Sequence, residues 1–209
     1  MARPRAATYD DQREQILAAA AQLFASRGYT ASTMNEVAAA CGVSKATLYH
    51  YVRDKHDLLA QITRGHVARL AALVDAVAAQ QLAPEPHLRE LIRRFMQVYA
   101  HAQHEHRVLT EDVKFLAPDD RAAVLAAQRR VVVAYADAVA ALRPELRPAR
   151  MHKPLAMLLF GMINWTFTWL RAGGALSPAA LGSVVADLFL HGLPAVALPA
   201  SAGAAVPPR

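Results

Sequence analysis

Apolar positions recur along most of the chain at spacings of three and four, the period of helices that bury one face. The first stripe is Ile16, Ala20, Leu23 and Phe24, on a helix that starts at Asp10 or Asp11 and ends before Gly28. Between Thr33 and Lys55 the pattern shortens. Thr33, with Glu36 three residues on, makes a capping box. Val37 to Ala40 supply a small apolar face, and Cys41-Gly42-Val43 stops the helix because Gly42 tolerates the positive φ of such a turn. Ser44 then caps a second short helix through Lys45, Thr47, Leu48 and Tyr49. A long stripe follows an Asp54 cap: Leu58, Leu59, Ile62, Val67, Leu70, Leu73, Val74 and Val77, reaching about Leu82, where Pro84 and Pro86 end it.

The remaining stripes predict five more elements. A fifth helix spans Leu88 to about Glu105, with Leu91, Ile92, Phe95, Met96 and Tyr99 as its apolar side. A short sixth covers Arg107 to Leu116, and a seventh Asp120 to Leu142, before the loop bracketed by Pro144 and Pro148. An eighth runs from His152 to Arg171, ended by Gly173-Gly174. The ninth spans Pro178 to His191, with Ser177 as cap and Pro178 in the first-turn position that suits it. Nothing reads as a strand or a repeat. The fold class is therefore all α, with about nine helices. The pattern divides the chain into a three-helix helix-turn-helix domain at residues 1–55 with an arm at 1–9, a larger helical domain at residues 56–194, and an Ala/Pro-rich tail at residues 195–209 that is expected to be disordered.

Composition narrows the function. The chain of 209 residues is 55% hydrophobic and 19% charged, enough for a substantial core, and its net charge of +6 suits a polyanionic partner. A lone cysteine, Cys41, excludes an intrachain disulfide and fits a reducing compartment. The N-terminus has no apolar core of a signal peptide, so a cytoplasmic location is expected. The longest apolar run, Pro154 to Leu170, carries Asn164, Thr166 and Thr168 and reads as a buried or interface helix, with no membrane partner. No nucleophile elbow, zinc-protease motif or phosphate loop is present, which argues against an enzyme. His101, His104, Glu105 and His106 crowd one helix end, but no second ligand group matches them, so neither a metal nor a cofactor is expected.

Two short helices joined by a glycine-containing turn are the helix-turn-helix signature, whose second helix enters the major groove of double-stranded DNA. Lys45 and Tyr49 lie one turn apart: the first can donate to guanine, the second can touch a thymine methyl or a phosphate. Ser44, Thr47, His50 and Tyr51 suit phosphate contacts that set register, Thr33 lies at a helix N-terminus, and Lys55 adds a phosphate-facing charge. Arg3 and Arg5 in the arm can reach a groove. One such unit reads few base pairs, so a homodimer on a near-palindromic operator is expected. Its interface is assigned to Leu155, Leu158, Leu159 and Thr166 of the eighth helix with Leu181, Val184, Val185, Leu188 and Phe189 of the ninth.

The segment from Thr33 through Cys41-Gly42-Val43-Ser44, Leu48-Tyr49, Tyr51 and Lys55 to Leu58-Leu59 resembles the TetR family of one-component transcriptional regulators. The stretch Phe160 to Trp169, followed by Leu176-Ser177-Pro178, is similar to a subset that controls fatty-acid, steroid-fragment or aromatic-acid breakdown and responds to acyl-CoA thioesters. The resemblance implies a ligand-responsive regulator, most simply a repressor, released by a small hydrophobic effector such as an acyl- or aryl-CoA. A free drug-like ligand and a non-specific architectural DNA binder are the alternatives. Phe95, Met96, Tyr99, Phe115, Met162, Trp165 and Trp169 are candidates to line an effector pocket, with Asn164 as its polar group. Arg93, Arg94, Arg129, Arg130, His152 and Lys153 are candidates for CoA phosphates.

Overall fold

The computed structural model describes residues 9–170, 174 and 176–198. Among the described residues it is all helical: α1 Tyr9–Arg27, α2 Met34–Ala40, α3 Lys45–Tyr49, α4 Lys55–Ala78, α5 Pro84–His101, α6 Gln103–Glu111, α7 Pro118–Leu142, α8 His152–Asn164 and α9 Pro178–Gly192, with four short 3-10 turns between or after them. The arm with Arg3 and Arg5, Gly173 and the tail from residue 199 lie outside the described residues.

The chain forms two compact units. Among the described residues, the first joins 9–69 to 102–127, and the second joins 70–101 to those from 128 to 198. The expected boundary at residue 55 thus falls inside the first unit, and α6 with the start of α7 belongs to that unit as well.

In the first unit Ile16, Phe24, Val37, Leu48, Leu58 and Leu59 form a core closed by Val108, Leu109, Leu116 and Val124. α6 packs along α1. Gly28, at φ 89°, ends α1, and its amide donates to Phe24 O at 2.8 Å. Gly42, at φ 65°, ends α2: Val43 N–H returns to Ala38 O at 3.0 Å and Gly42 N–H to Ala39 O at 3.1 Å, the paired bonds of a Schellman turn. Arg13 binds Gln61 Oε1 through Nε and Nη2 at 3.0 and 2.6 Å, and Gln61 donates to Asp57 Oδ2 at 3.1 Å, tying α1 to the first turns of α4.

In the second unit α5 packs against α9 and α8 around Leu91, Ile92, Phe95, Met96, Tyr135, Phe160 and Ile163. Gly182 of α9 lies against Met96 of α5, where an added Cβ would stand at ordinary contact distance, 3.4 Å from Met96 Cγ. The segment Pro178–Ala195 is long and apolar enough to cross a membrane by composition. Its Leu181, Val185, Ala186, Phe189 and Leu190 are nevertheless buried in this core.

Four element boundaries differ from the sequence pattern. α4 stops at Ala78 rather than Leu82, and Gln81 takes a left-handed conformation at φ 51°. α5 begins at Pro84, because both prolines fit a first turn whose amides need no helical acceptor. Ala102, at φ −128° and ψ 40°, separates α5 from α6, placing the break within the expected fifth helix. α8 also ends early, at Asn164, and tightens into a 3-10 turn over Trp165–Thr168.

Candidate nucleic-acid interface and effector site

The helix-turn-helix is set by three caps. Thr33 Oγ1 accepts from Glu36 N at 3.3 Å while Glu36 Oε2 accepts from Thr33 N at 2.8 Å, and Arg27 Nη1 holds the same carboxylate at 2.6 Å. Those bonds keep the Glu36 carboxyl below its ordinary range, the Thr33 hydroxyl first among the causes. Ser44 Oγ accepts from Thr47 N at 3.0 Å at the start of α3. Asp54 Oδ1 accepts from Asp57 N at 2.8 Å, and Asp57 Oδ2 accepts from Arg53 N at 2.9 Å, closing the head of α4. Leu48 is buried, so α3 is anchored on one side while Lys45, Tyr49 and His50 remain exposed on the other.

The structure gives the other expected DNA-facing residues different roles. Ser44 and Thr47 share a hydroxyl–hydroxyl bond of 2.8 Å. Tyr51 is half-buried, its ring stacked on Tyr9 with centroids 4.7 Å apart. Lys55 does not offer a free charge. Its ammonium donates to the carbonyls of Tyr29 at 3.0 Å, Thr30 at 3.3 Å and Ser32 at 2.9 Å, and sits 4.5 Å from the centre of the Tyr29 ring. An ammonium has three donors, and here all are committed to the turn after α1. Lys55 thus acts as a strut between that turn and α4. The cation that the sequence reading missed is Arg53, in the turn between α3 and α4, whose side chain is 86% exposed and 3.5 Å from Asp57 Oδ1. A basic residue in that turn was the available signal.

In the second unit Phe95, Met96 and Tyr99 share one buried core, with Met162 packed at its edge. Tyr99 Oη donates to Asn164 Oδ1 at 2.8 Å, and burial pushes the Tyr99 phenol well above its ordinary value. Phe115 does not join them. It belongs to the first unit, stacked on Tyr29 at 5.3 Å, because the segment after α6 returns to that core. Trp165 and Trp169 are both more than half exposed, since the early end of α8 turns them outward. The residue missed here is Tyr135 of α7, wholly buried, its ring 5.0 Å from Phe95 and 4.6 Å from Phe160. Its place on the Val131–Tyr135–Val139 stripe, at i, i+4 and i+8, was the signal.

The expected dimer residues divide likewise. Leu155, Leu159, Thr166, Leu181, Val185 and Phe189 are buried within the chain's own core, because each helix turns one side inward. Leu158 at 65% exposure, Leu188 at 63% and Val184 stand on the outer side, with Met157, Trp165 and Trp169 exposed beside them in sequence. Of the basic candidates, Arg93 and Arg94 both bind Glu90, at 2.7 and 2.6 Å, and pull its carboxyl down to about 2, Arg93 contributing most. Arg130 pairs with Asp75, and His152 Nδ1 lies 3.3 Å from Leu146 O. Arg129 and Lys153 are exposed. His106, one of the crowded histidines near α6, is buried, its Nδ1 3.3 Å from His66 Nε2.

Comparison with known proteins agrees with this architecture. Residues 81–193 match the tetracyclin repressor-like C-terminal domain, and residues 16–62 match the tetR family of bacterial regulatory proteins. A crystal structure of a TetR-family transcriptional regulator from Bordetella parapertussis 12822 is 33% identical and superposes with a TM-score of 0.84, covering 90% of this chain and 99% of that one. The HTH-type transcriptional activator FasR of Mycolicibacterium smegmatis is 31% identical over 103 residues, 49% of this chain; the matched stretch spans about half (47%) of FasR's own length. AibR, in a crystal structure with isovaleryl coenzyme A and operator DNA, shares the fold at a TM-score of 0.71 and 23% identity, over 85% of this chain and 97% of that one. The relatives are named as regulators rather than enzymes, and the chain belongs to the TetR family of bacterial regulatory proteins.

Proposed function

We propose that the protein is a cytoplasmic, effector-responsive transcriptional regulator that binds a near-palindromic operator as a homodimer and acts as a repressor. The observation that carries this reading is the exposed Lys45–Tyr49–His50 face on a short helix fixed at both ends by capped turns. A rigidly held donor and ring one turn apart suit base-edge readout, and Arg53 beside them suits phosphate. The outer apolar residues Leu158, Val184 and Leu188 are suited to pair with a second copy, bringing two reading helices to successive major grooves. α4 carries core residues of both units, from Leu58 and Leu59 to Leu70 and Val77, so an effector that displaces it alters the spacing of those helices.

Footprinting with the dimer tests this reading. A short protected palindrome is expected, and Lys45→Ala and Tyr49→Ala each weaken operator binding by about 1–3 kcal/mol, or roughly 5- to 150-fold. Unchanged affinity in both variants removes α3 from the groove, and uniform protection without a palindrome favours an architectural binder.

For the effector we infer a small hydrophobic molecule, with an acyl- or aryl-CoA thioester as first choice; the AibR complex supports it. A free hydrophobic ligand is favoured by one observation: Arg93, Arg94 and Arg130 are already matched by carboxylates, so a CoA phosphate would have to displace them. Mass spectrometry of ligand retained by the purified protein separates the two. Whichever it is, its coupling to DNA is reciprocal, so equal affinity for free and operator-bound protein disqualifies a candidate inducer.

A further inference from the structure

We propose that the hydroxyl of Tyr135 is the polar group that reads the effector, and that the effector presents to it a neutral carbonyl oxygen on an apolar segment, as the acyl end of a thioester or a free ketone does. This rests on the effector-responsive reading above and specifies the ligand's chemistry.

Tyr135 Oη is buried and finds no hydrogen-bond partner among the described residues. A buried hydroxyl left in that state destabilises the fold that contains it, and phenylalanine would fill the same space without the penalty. The position thus holds a polar atom that the protein's own packing does not use. Around it stand the rings of Phe95 and Phe160, and Tyr99 supplies the neighbouring phenol, itself committed to Asn164 Oδ1 at 2.8 Å.

Charge selects among ligands. Among the described residues no charged side chain of the second unit is buried; the buried histidines and aspartate, His66, His106 and Asp112, all belong to the first. A carboxylate brought to Tyr135 would meet no cation, and burying an unpaired charge is far costlier than burying a carbonyl. The tyrosine hydroxyl donates to a carbonyl oxygen, whereas a pure hydrocarbon leaves it as it was. Room for such a ligand comes from two places. Met96 and Met162 border this core with unbranched, adaptable side chains. Asn164 stands where α8 gives way to the 3-10 turn Trp165–Thr168, a geometry held by poorer hydrogen bonds than an α-helix.

The test compares the full chain with Tyr135→Phe, using 2-octanone and octanoate as probes in calorimetry and thermal melting. The unmodified protein is expected to bind the ketone at least tenfold tighter than the carboxylate. Tyr135→Phe is expected to melt no lower than the unmodified protein and to bind the ketone about tenfold more weakly, the worth of one hydrogen bond in a dry site. Equal ketone affinity in the two proteins overturns the proposal. So does a preference for octanoate, a failure of the unmodified protein to bind either probe, or a lower melting temperature for Tyr135→Phe, which would mean the hydroxyl is already satisfied. Operator binding of both proteins without ligand is measured in parallel. Its absence would sink the regulator reading, while the melting and ketone comparison still decides the role of the hydroxyl.

Discussion

The helix-turn-helix of the first unit is held by side-chain bonds to its backbone turns, whereas the ring cluster of the second is held by apolar surface. In the first, Thr33, Ser44, Asp54 and Lys55 each close a specific backbone gap, so the α3 surface is fixed before any partner arrives. In the second, four aromatic rings meet with one hydroxyl unused, and the outer sides of α8 and α9 keep Leu158, Val184 and Leu188 in water. A reading head has to be rigid, because a groove accepts one geometry. A sensing unit has to remain incomplete, since what completes it is the signal.

That contrast can be broken or sharpened by four measurements, the largest effect first. Leu188→Glu places a charge on the proposed dimer face and should yield a monomer by sedimentation, with operator affinity down roughly 100-fold or more. A variant that stays dimeric would move the interface elsewhere.

Acid should act first on the first unit. Desolvation there, with His106 and Arg69 adding to it, pulls the His66 pKa from its ordinary 6.5 down to about 3. Between those values the unfolded chain binds a proton that the folded unit refuses, so stability is complete above about pH 6.5 and falls as pH drops toward 3. The loss is on the order of a few kcal/mol, and His66→Gln should flatten the slope of melting temperature against pH in that window. An unchanged slope would assign the acid sensitivity to other groups.

Lys55→Ala strands three carbonyls in the turn after α1 and should cost about 1–3 kcal/mol of stability in thermal melting. The dependence of operator affinity on salt should hardly change; a slope lower by about 1 would restore Lys55 as a phosphate contact. Thr33→Ala removes half of the capping box and should cost about 1 kcal/mol, read the same way.

How much of this was legible in the sequence follows the same division. The caps at Thr33, Ser44 and Ser177, and the turn at Gly42, were readable because each bond joins residues within a few positions of one another. The break at Ala102 was not, since alanine is the best helix former and nothing local marks an end; the following segment leaves the helix to pack on α1. The strut role of Lys55 was not legible because its three acceptors lie 23 to 26 residues away, whereas a lysine near a helix-turn-helix reads first as DNA-facing. Residue type could not sort Leu158 from Leu159, whose opposite fates depend on which side of α8 meets the core. Tyr135 was passed over for a related reason: its stripe announced burial, but an unused hydroxyl is a property of neighbours.

The return of residues 102–127 to the first unit has a consequence for the order of synthesis. Val108, Leu109, Leu116 and Val124 complete a core begun at Ile16, so the reading head's core stays open on one side while the ribosome has made only its own helix-turn-helix. Its completion follows the synthesis of the intervening α5, whereas a self-contained domain at the N-terminus would ordinarily fold first. A fragment ending near residue 69 should therefore emerge with its apolar α1 side uncovered and behave as an unfolded chain, whereas one extended to residue 127 carries every piece of the first core.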